Sequence, residues 1–126
     1  IVIFCIGETL FQKKRKQTNK IIKKQIIKGL KGLKKNSRII IAYEPVWSIG
    51  TGIIPKNYEL DRNIKFINAV VKKNTKFKKF KILYGGSVNS KNIQSLNTIN
   101  SLDGYLIGGA SQNAKKLIDI VKKTYN

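Results

Sequence analysis

The chain contains no histidine, no methionine and a single cysteine, Cys5. Without histidine, it cannot build a His-based zinc site or a Ser–His catalytic pair from its own residues. A lone cysteine excludes an internal disulfide, which is typical of proteins from a reducing compartment, so we expect a cytoplasmic protein. No apolar run approaches the ~20 residues of a membrane span, so we predict no membrane partner.

Acidic residues are also scarce, at 6 against 26 Lys and Arg, for a net charge of +20. Such a charge is typical of proteins that bind nucleic acids or anionic surfaces. However, 23 of the cations are Lys, and they are spread over all the helical segments. Lys, Ile and Asn, which have A/T-rich codons, supply 56 of the 126 residues. We therefore attribute the charge to base composition and predict no nucleic-acid partner, with a basic nucleic-acid-binding α/β module as the alternative.

Four short, continuous apolar runs alternate with amphipathic segments. The runs are typical of strands buried on both faces, and they lie at Ile1–Ile6, Arg38–Tyr43, Lys81–Tyr84 and Gly104–Ile107. Apolar residues at helical spacing predict helices over about Thr18–Leu33, Asn57–Lys73, Ser90–Leu96 and Gln112–Thr124. No linker rich in Pro, Gly or Ser interrupts this order, so we predict one domain over residues 1–126.

The order of strand and helix, repeated four times, predicts an α/β fold with a parallel sheet and right-handed crossovers. A complete barrel of eight such units needs about 250 residues, so a chain of this length holds about four units. The absence of methionine indicates that the sequence does not begin at a translation start. We therefore expect a fragment.

Glycines and small hydroxyl residues concentrate directly after the predicted strands, where ligands bind in parallel α/β folds. Seven of the ten glycines lie there. A Gly-Gly turn in front of a helix, such as Gly108–Gly109, lets backbone N–H groups approach a phosphate closely. Three glycine-containing turns at one rim therefore predict an anion-binding site.

Glu44 is the first residue after the second predicted strand, and it opens a loop that contains Trp47, Gly50 and Gly52. A single Glu at such a place is often only an ion-paired or capping carboxylate. Here it is one of six acids in a strongly basic chain, and the apolar loop beside it can close and exclude water. This setting suits a general base that abstracts a proton next to a carbonyl group.

Four segments lie at the ends of the predicted strands: CIGETL (5–10), YEPVWSIGTG (43–52), YGGSV (84–88) and DGYLIGGAS (103–111). YEPVWSIGTG resembles the catalytic strand end and lid loop of the triosephosphate isomerase family. The other three resemble the preceding strand end and the last two of that family. The segments occur in the family's order and cover nearly the whole chain. The resemblance implies a half barrel, strands five to eight of a (β/α)8 TIM barrel.

The resemblance also implies an activity. Members interconvert dihydroxyacetone phosphate and D-glyceraldehyde 3-phosphate, in glycolysis and gluconeogenesis, without a metal or a cofactor. Glu44 matches the base that moves a proton between C1 and C2 through an enediolate. Residues that match donors to the substrate phosphate are Gly50, Ser87, Gly108 and Gly109. The full enzyme is expected to be a homodimer.

The segment after Glu44 matches the lid that closes over the substrate. Its members are Pro45, Val46, Trp47, Ser48, Ile49, Gly50, Thr51 and Gly52. By the resemblance, Trp47 belongs to the lid's N-terminal hinge and Glu8 is its partner. Tyr84 and Ser87 match residues that latch the closed lid.

The chain departs from the family pattern in two ways. Ser48 stands where Ala is usual, and Ile53-Ile54-Pro55 stands where Lys-Thr-Ala is common at the C-terminal hinge. Pro55 has no N–H, so a latch between Tyr84 and that amide is impossible and the latch must differ. The family's His electrophile, its substrate-binding Lys and Asn, and its main dimer loop belong to the first four units. We therefore expect that the chain needs an N-terminal half and is inactive alone; an inactive remnant or a split-gene product are the alternatives.

Overall fold

The computed structural model describes residues 1–34, 38–77 and 79–125. Four strands form one parallel sheet in the order β1-β2-β3-β4. They are β1 (Val2–Ile6), β2 (Ile39–Tyr43), β3 (Lys81–Tyr84) and β4 (Gly104–Tyr105). The helices are α1 (Leu10–Lys14), α2 (Thr18–Gly29), α3 (Asn57–Asn74), α4 (Ile93–Leu96) and α5 (Ala114–Tyr125). Short 3₁₀ helices span Val46–Ser48 and Gly109–Gln112.

This arrangement confirms the predicted α/β class and the parallel sheet. In the sheet, Cys5 pairs with Ala42, Tyr43 pairs with Tyr84, and Leu83 pairs with Gly104. The carboxyl ends of all four strands therefore meet at one rim, where the glycine-rich turns follow. Within the described residues, β1 and β4 each have a neighbouring strand on one side only.

The core lies where helices α2 and α3 cover the sheet. Ile22 and Ile26 of α2 and Leu60, Ile64 and Ile67 of α3 are fully buried. Burying each of these side chains contributes about 1.5–3 kcal/mol. The sheet contributes large side chains to the same core: Ile41, Tyr43, Ile82 and Tyr84.

Several element ends differ from the sequence predictions. The helix predicted to reach Leu33 ends at Gly29, and Gly32 has a φ of +78°, a left-handed turn conformation. The helix predicted from Ser90 begins at Ile93. The side chain of Asn89 accepts the N–H groups of Lys91 and Asn92, so local turns replace the first helical turn.

The observed ends of β4 and α5 also differ from the predicted ones. The strand predicted to reach Ile107 ends at Tyr105, and the helix predicted from Gln112 begins at Ala114, after the 3₁₀ turn.

Helix α1 was not predicted at all. Thr9 caps it, with its hydroxyl accepting from the Gln12 N–H at 3.3 Å and its own N–H donating to Gln12 Oε1 at 2.9 Å. This reciprocal pair is a capping box, which fixes the start of a helix even where no apolar periodicity marks it. No helix within the described ranges is long and apolar enough to cross a membrane.

Candidate active site

Glu44 lies at the carboxyl end of β2, at the centre of the rim. Its backbone N–H donates to the Ile6 carbonyl at 2.7 Å, which ties it to the neighbouring strand end. A Cβ on Gly85 would lie 2.6 Å from Glu44 Cγ and 2.8 Å from its Oε1. Glycine at position 85 therefore makes the room in which this carboxylate sits.

Cys5 touches the same carboxylate. Its thiol lies 3.6 Å from Glu44 Oε1 and is the donor of that contact. Partial burial, followed by the negative charge of Glu44, raises the pKa of the Cys5 thiol. The thiol is therefore protonated at neutral pH and can donate to Glu44.

Residues 45–52, which the resemblance matched to a lid and which are called the lid below, are held in their N-terminal part by Glu8. Trp47 donates its indole N–H to Glu8 Oε1 at 2.9 Å. The ammonium group of Lys13 lies 3.8 Å from the centre of the Trp47 ring and also pairs with Glu59 at 3.0 Å. A cation over an indole face is attractive, so α1 and α3 both support the position of Trp47.

Glu8 is itself buried, and Tyr43 of β2 and Asn63 of α3 also hold it in place. Tyr43 donates its hydroxyl to Glu8 Oε2 at 3.1 Å, and Asn63 donates to the Tyr43 oxygen at 3.0 Å. Burial, and then the nearby charge of Glu8, raise the pKa of Tyr43 far above its ordinary range. The protonated phenol and the indole N–H together satisfy a carboxylate that is only 1% exposed.

The C-terminal part of the lid is attached to the turn after β3. The Gly52 N–H donates to Ser87 Oγ at 3.0 Å, and the Ser87 hydroxyl donates to the Ser48 carbonyl. The Thr51 hydroxyl donates to the Trp47 carbonyl at 3.1 Å, within the lid. Gly52 has a φ of +76°, so the loop turns back there in a conformation that favours glycine.

Tyr84 and Ser48 form the remaining contact between lid and sheet. Their hydroxyl oxygens lie 3.0 Å apart, and both side chains are fully buried. Pro55 is buried at the end of the lid segment and has no N–H to offer. The Tyr84 hydroxyl therefore contacts a side chain of the lid segment.

A cavity of about 480 Å³ opens beside the lid. Its wall includes all four residues that the resemblance matched to phosphate donors: Gly50, Ser87, Gly108 and Gly109. Gly85, which contacts Glu44, lines it as well. Lys91 and Lys116 are the charged residues among those that line it. The volume lies in the range of small-ligand pockets, and the charge favours an anion.

Five residues near the site had no role assigned from the sequence: Cys5, Lys13, Tyr43, Asn63 and Gly85. The spacing of Thr9 and Gln12 could have revealed α1 and, with it, Lys13. The others contact the site only through the pairing of strands and the packing of α3. No group of His, Cys, Asp and Glu within the described ranges could hold a metal ion.

The fold is a run of four β/α units of the TIM-barrel type. Residues 1–124 match the family model for triosephosphate isomerase. The chain is 41% identical over 123 residues to a triosephosphate isomerase of Thermodesulfovibrio yellowstonii, a match that spans 96% of the chain and 50% of that protein. It is 42% identical over 122 residues to one of Mycoplasma mobile, covering 97% of the chain and 48% of that protein.

The chain therefore belongs to the triosephosphate isomerase family. It spans about half the length of the curated relatives that it matches. A half barrel of four units accounts for that length and for the open edges at β1 and β4.

Proposed function

We propose that this chain supplies the base, the lid and the phosphate cradle of a triosephosphate isomerase. The observation that carries the proposal is that one glycine, Gly85, adjoins both the predicted base and the cavity. Gly85 contacts the Glu44 carboxylate and lines the cavity that Ser87, Gly108 and Gly109 also line. A triose phosphate seated there would place its carbon chain beside Glu44.

The reaction is a proton transfer between adjacent carbons. Glu44 takes the proton from C1 of dihydroxyacetone phosphate, which leaves an enediolate, and returns it to C2 to give D-glyceraldehyde 3-phosphate. A proton must also pass from O1 to O2, and no residue at the described site is placed to move it. We assign that step to an N-terminal half of the barrel, which is therefore a required partner. The chain alone is expected to be inactive.

The lid has a defined task in this reaction. An enediolate that bears a phosphate on the neighbouring carbon loses that phosphate readily if it is released into water. A lid held at Trp47 and at Gly52 would exclude water from the cavity beside Glu44 during the reaction. Backbone N–H groups of Gly50, Ser87, Gly108 and Gly109 would hold the phosphate group during the transfer. The Ser87 hydroxyl itself donates to the Ser48 carbonyl.

The wider setting follows the family. We propose that the complete enzyme is a cytoplasmic homodimer that acts in glycolysis and gluconeogenesis on a small phosphorylated triose, without a cofactor.

Reconstitution tests the proposal. We define the matching N-terminal half as the first four strand–helix units of the Mycoplasma mobile relative, and the reconstituted enzyme as this chain combined with that half. We expect isomerisation of glyceraldehyde 3-phosphate by the reconstituted enzyme in a coupled assay, and none by either part alone. A reconstituted, folded barrel without isomerase activity would contradict the proposed function.

A further inference from the structure

The Ser48 hydroxyl lies at a junction between the lid and the sheet. Ser48 Oγ is 2.5 Å from the Ile53 carbonyl oxygen and 3.0 Å from the Tyr84 hydroxyl oxygen. Ser48 and Tyr84 are both 0% exposed. The contact therefore joins three points: the middle of the lid, the residue that follows the lid, and the carboxyl end of β3.

The direction of the two bonds follows from the number of protons. A hydroxyl has one proton to donate, and a carbonyl can only accept. Ser48 therefore donates to Ile53 and accepts the proton of Tyr84. Burial raises the pKa of Tyr84 to about 12, so the phenol stays protonated at neutral pH and can act as the hydrogen-bond donor.

The packing around the junction leaves room for these two hydroxyls and little else. A Cβ on Gly86 would overlap the Tyr84 hydroxyl oxygen and would lie 2.5 Å from Ser48 Oγ. Gly86 is thus needed for the two side chains to meet. Two residues beyond Ile53, Pro55 offers no N–H, so the connection from Tyr84 to this end of the lid runs through the Ser48 hydroxyl.

We propose that Ser48 is a positioning residue that latches the docked lid, by relaying a hydrogen bond from Tyr84 to the Ile53 carbonyl. It acts through the lid and does not touch the reacting atoms. The inference rests on the proposed function for its catalytic meaning, because the lid matters to turnover only if Glu44 works beneath it. The latch itself is a physical property that can be measured without substrate.

Amide hydrogen exchange at Gly52 measures the latch, because the Gly52 N–H is protected by Ser87 only while the lid is docked. The reconstituted enzyme is compared with Ser48→Ala, Tyr84→Phe and the double variant. Tyr84→Phe removes one bond and should lower the Gly52 protection factor about fivefold, which corresponds to about 1 kcal/mol for one buried hydrogen bond. Ser48→Ala removes that bond and also the bond to Ile53, so its loss should be larger. The double variant should fall no further than Ser48→Ala, which already removes both bonds.

Ser101→Ala is the matched control, because the Ser101 hydroxyl also donates a hydrogen bond, to Asp61, but it lies outside the lid. It should leave Gly52 protection unchanged. The Ala42 amide in β2 reports the stability of the sheet. Unchanged Gly52 protection in Ser48→Ala, losses that multiply in the double variant, or an equal loss at Ala42 would each overturn the latch. If the pattern holds in a barrel without isomerase activity, the latch stands and the proposed function fails.

Discussion

Trp47 and Glu8 are joined across the rim by a 2.9 Å hydrogen bond from the indole N–H to a carboxylate that is almost fully buried. Tyr43 holds the same carboxylate from below at 3.1 Å. The lid is thus anchored to a charge whose position is set by the strand beneath it. Because the bond involves an ionised acceptor, it is among the stronger contacts that the lid makes.

Glu8→Gln should loosen this anchor. Removing the charge weakens the bond to the indole, since a hydrogen bond to a charged group is worth about 1.5–3 kcal/mol and a neutral one about half of that. Trp47 is the only tryptophan of the chain, so its fluorescence reports the change directly. We expect acrylamide to quench Trp47 more strongly in the variant.

Asp61→Asn is the control for that experiment. It removes a carboxylate of α3 whose partners are Lys65 and Ser101, away from Trp47. Quenching that rises as much in Asp61→Asn as in Glu8→Gln would contradict the anchoring role of Glu8.

The reactivity of Cys5 should depend on Glu44. Burial first, and then the charge of Glu44, raise the pKa of the thiol, so at pH 8 less of it is the reactive thiolate. Glu44→Gln removes the charge but not the burial. The thiol pKa should fall, and alkylation by iodoacetamide at pH 8 should become faster while staying slower than for a free thiol.

The pH profile of alkylation measures this shift, with the midpoint moving to lower pH in Glu44→Gln. Glu59→Gln serves as a remote carboxylate and should leave the midpoint in place. An identical midpoint in the wild-type chain and in Glu44→Gln would show that the thiol and the carboxylate do not interact.

Pro55 should set the speed of the lid. Proline fixes φ and stiffens the C-terminal hinge, so Pro55→Ala should allow faster or altered lid motion without loss of the fold. NMR relaxation dispersion on the lid amides, or temperature-jump fluorescence of Trp47, measures the rate. Relaxation rates that are unchanged in Pro55→Ala would contradict this role.

The open edge at β1 should make the isolated chain associate. Val2 is 63% exposed and Ile3 is 45% exposed on a strand that has one neighbour, and such edges pair with other chains. We expect sedimentation to show self-association, which Ile3→Lys reduces and the matching N-terminal half suppresses. A clean monomer with a sharp unfolding transition would contradict the expectation.

The local sequence pattern was enough to predict the parallel sheet and the residues at the carboxyl ends of its strands. The strands are continuous apolar runs, such as Ile39–Ala42, and the residues that follow them must meet once the strands are parallel. The two-residue length of β4 was not predictable from its apolar run. Its last residue, Tyr105, pairs with Tyr84, where β3 itself ends, and this pairing joins two distant segments.

The side-chain contacts that hold the site in place could not be predicted from the sequence. Glu8 is buried because Tyr43 comes from the next strand and Asn63 from α3, and nothing in the local sequence of any one of them indicates the others. The Ser48–Tyr84 contact likewise depends on the space that Gly86 leaves. Resemblance pointed to Ser48 and Pro55 as unusual, but only the packed structure shows which atom the Tyr84 hydroxyl meets.

Glu44→Gln in the reconstituted enzyme tests the assignment of the catalytic base most directly. Gln keeps the shape of the side chain and cannot take a proton, so kcat should fall by about 10²–10⁴, the usual contribution of a general base. Competitive inhibition by inorganic phosphate should be unchanged, because Glu44 does not line the phosphate cradle. A kcat within a few fold of the unmodified enzyme would contradict the role of Glu44 as the base.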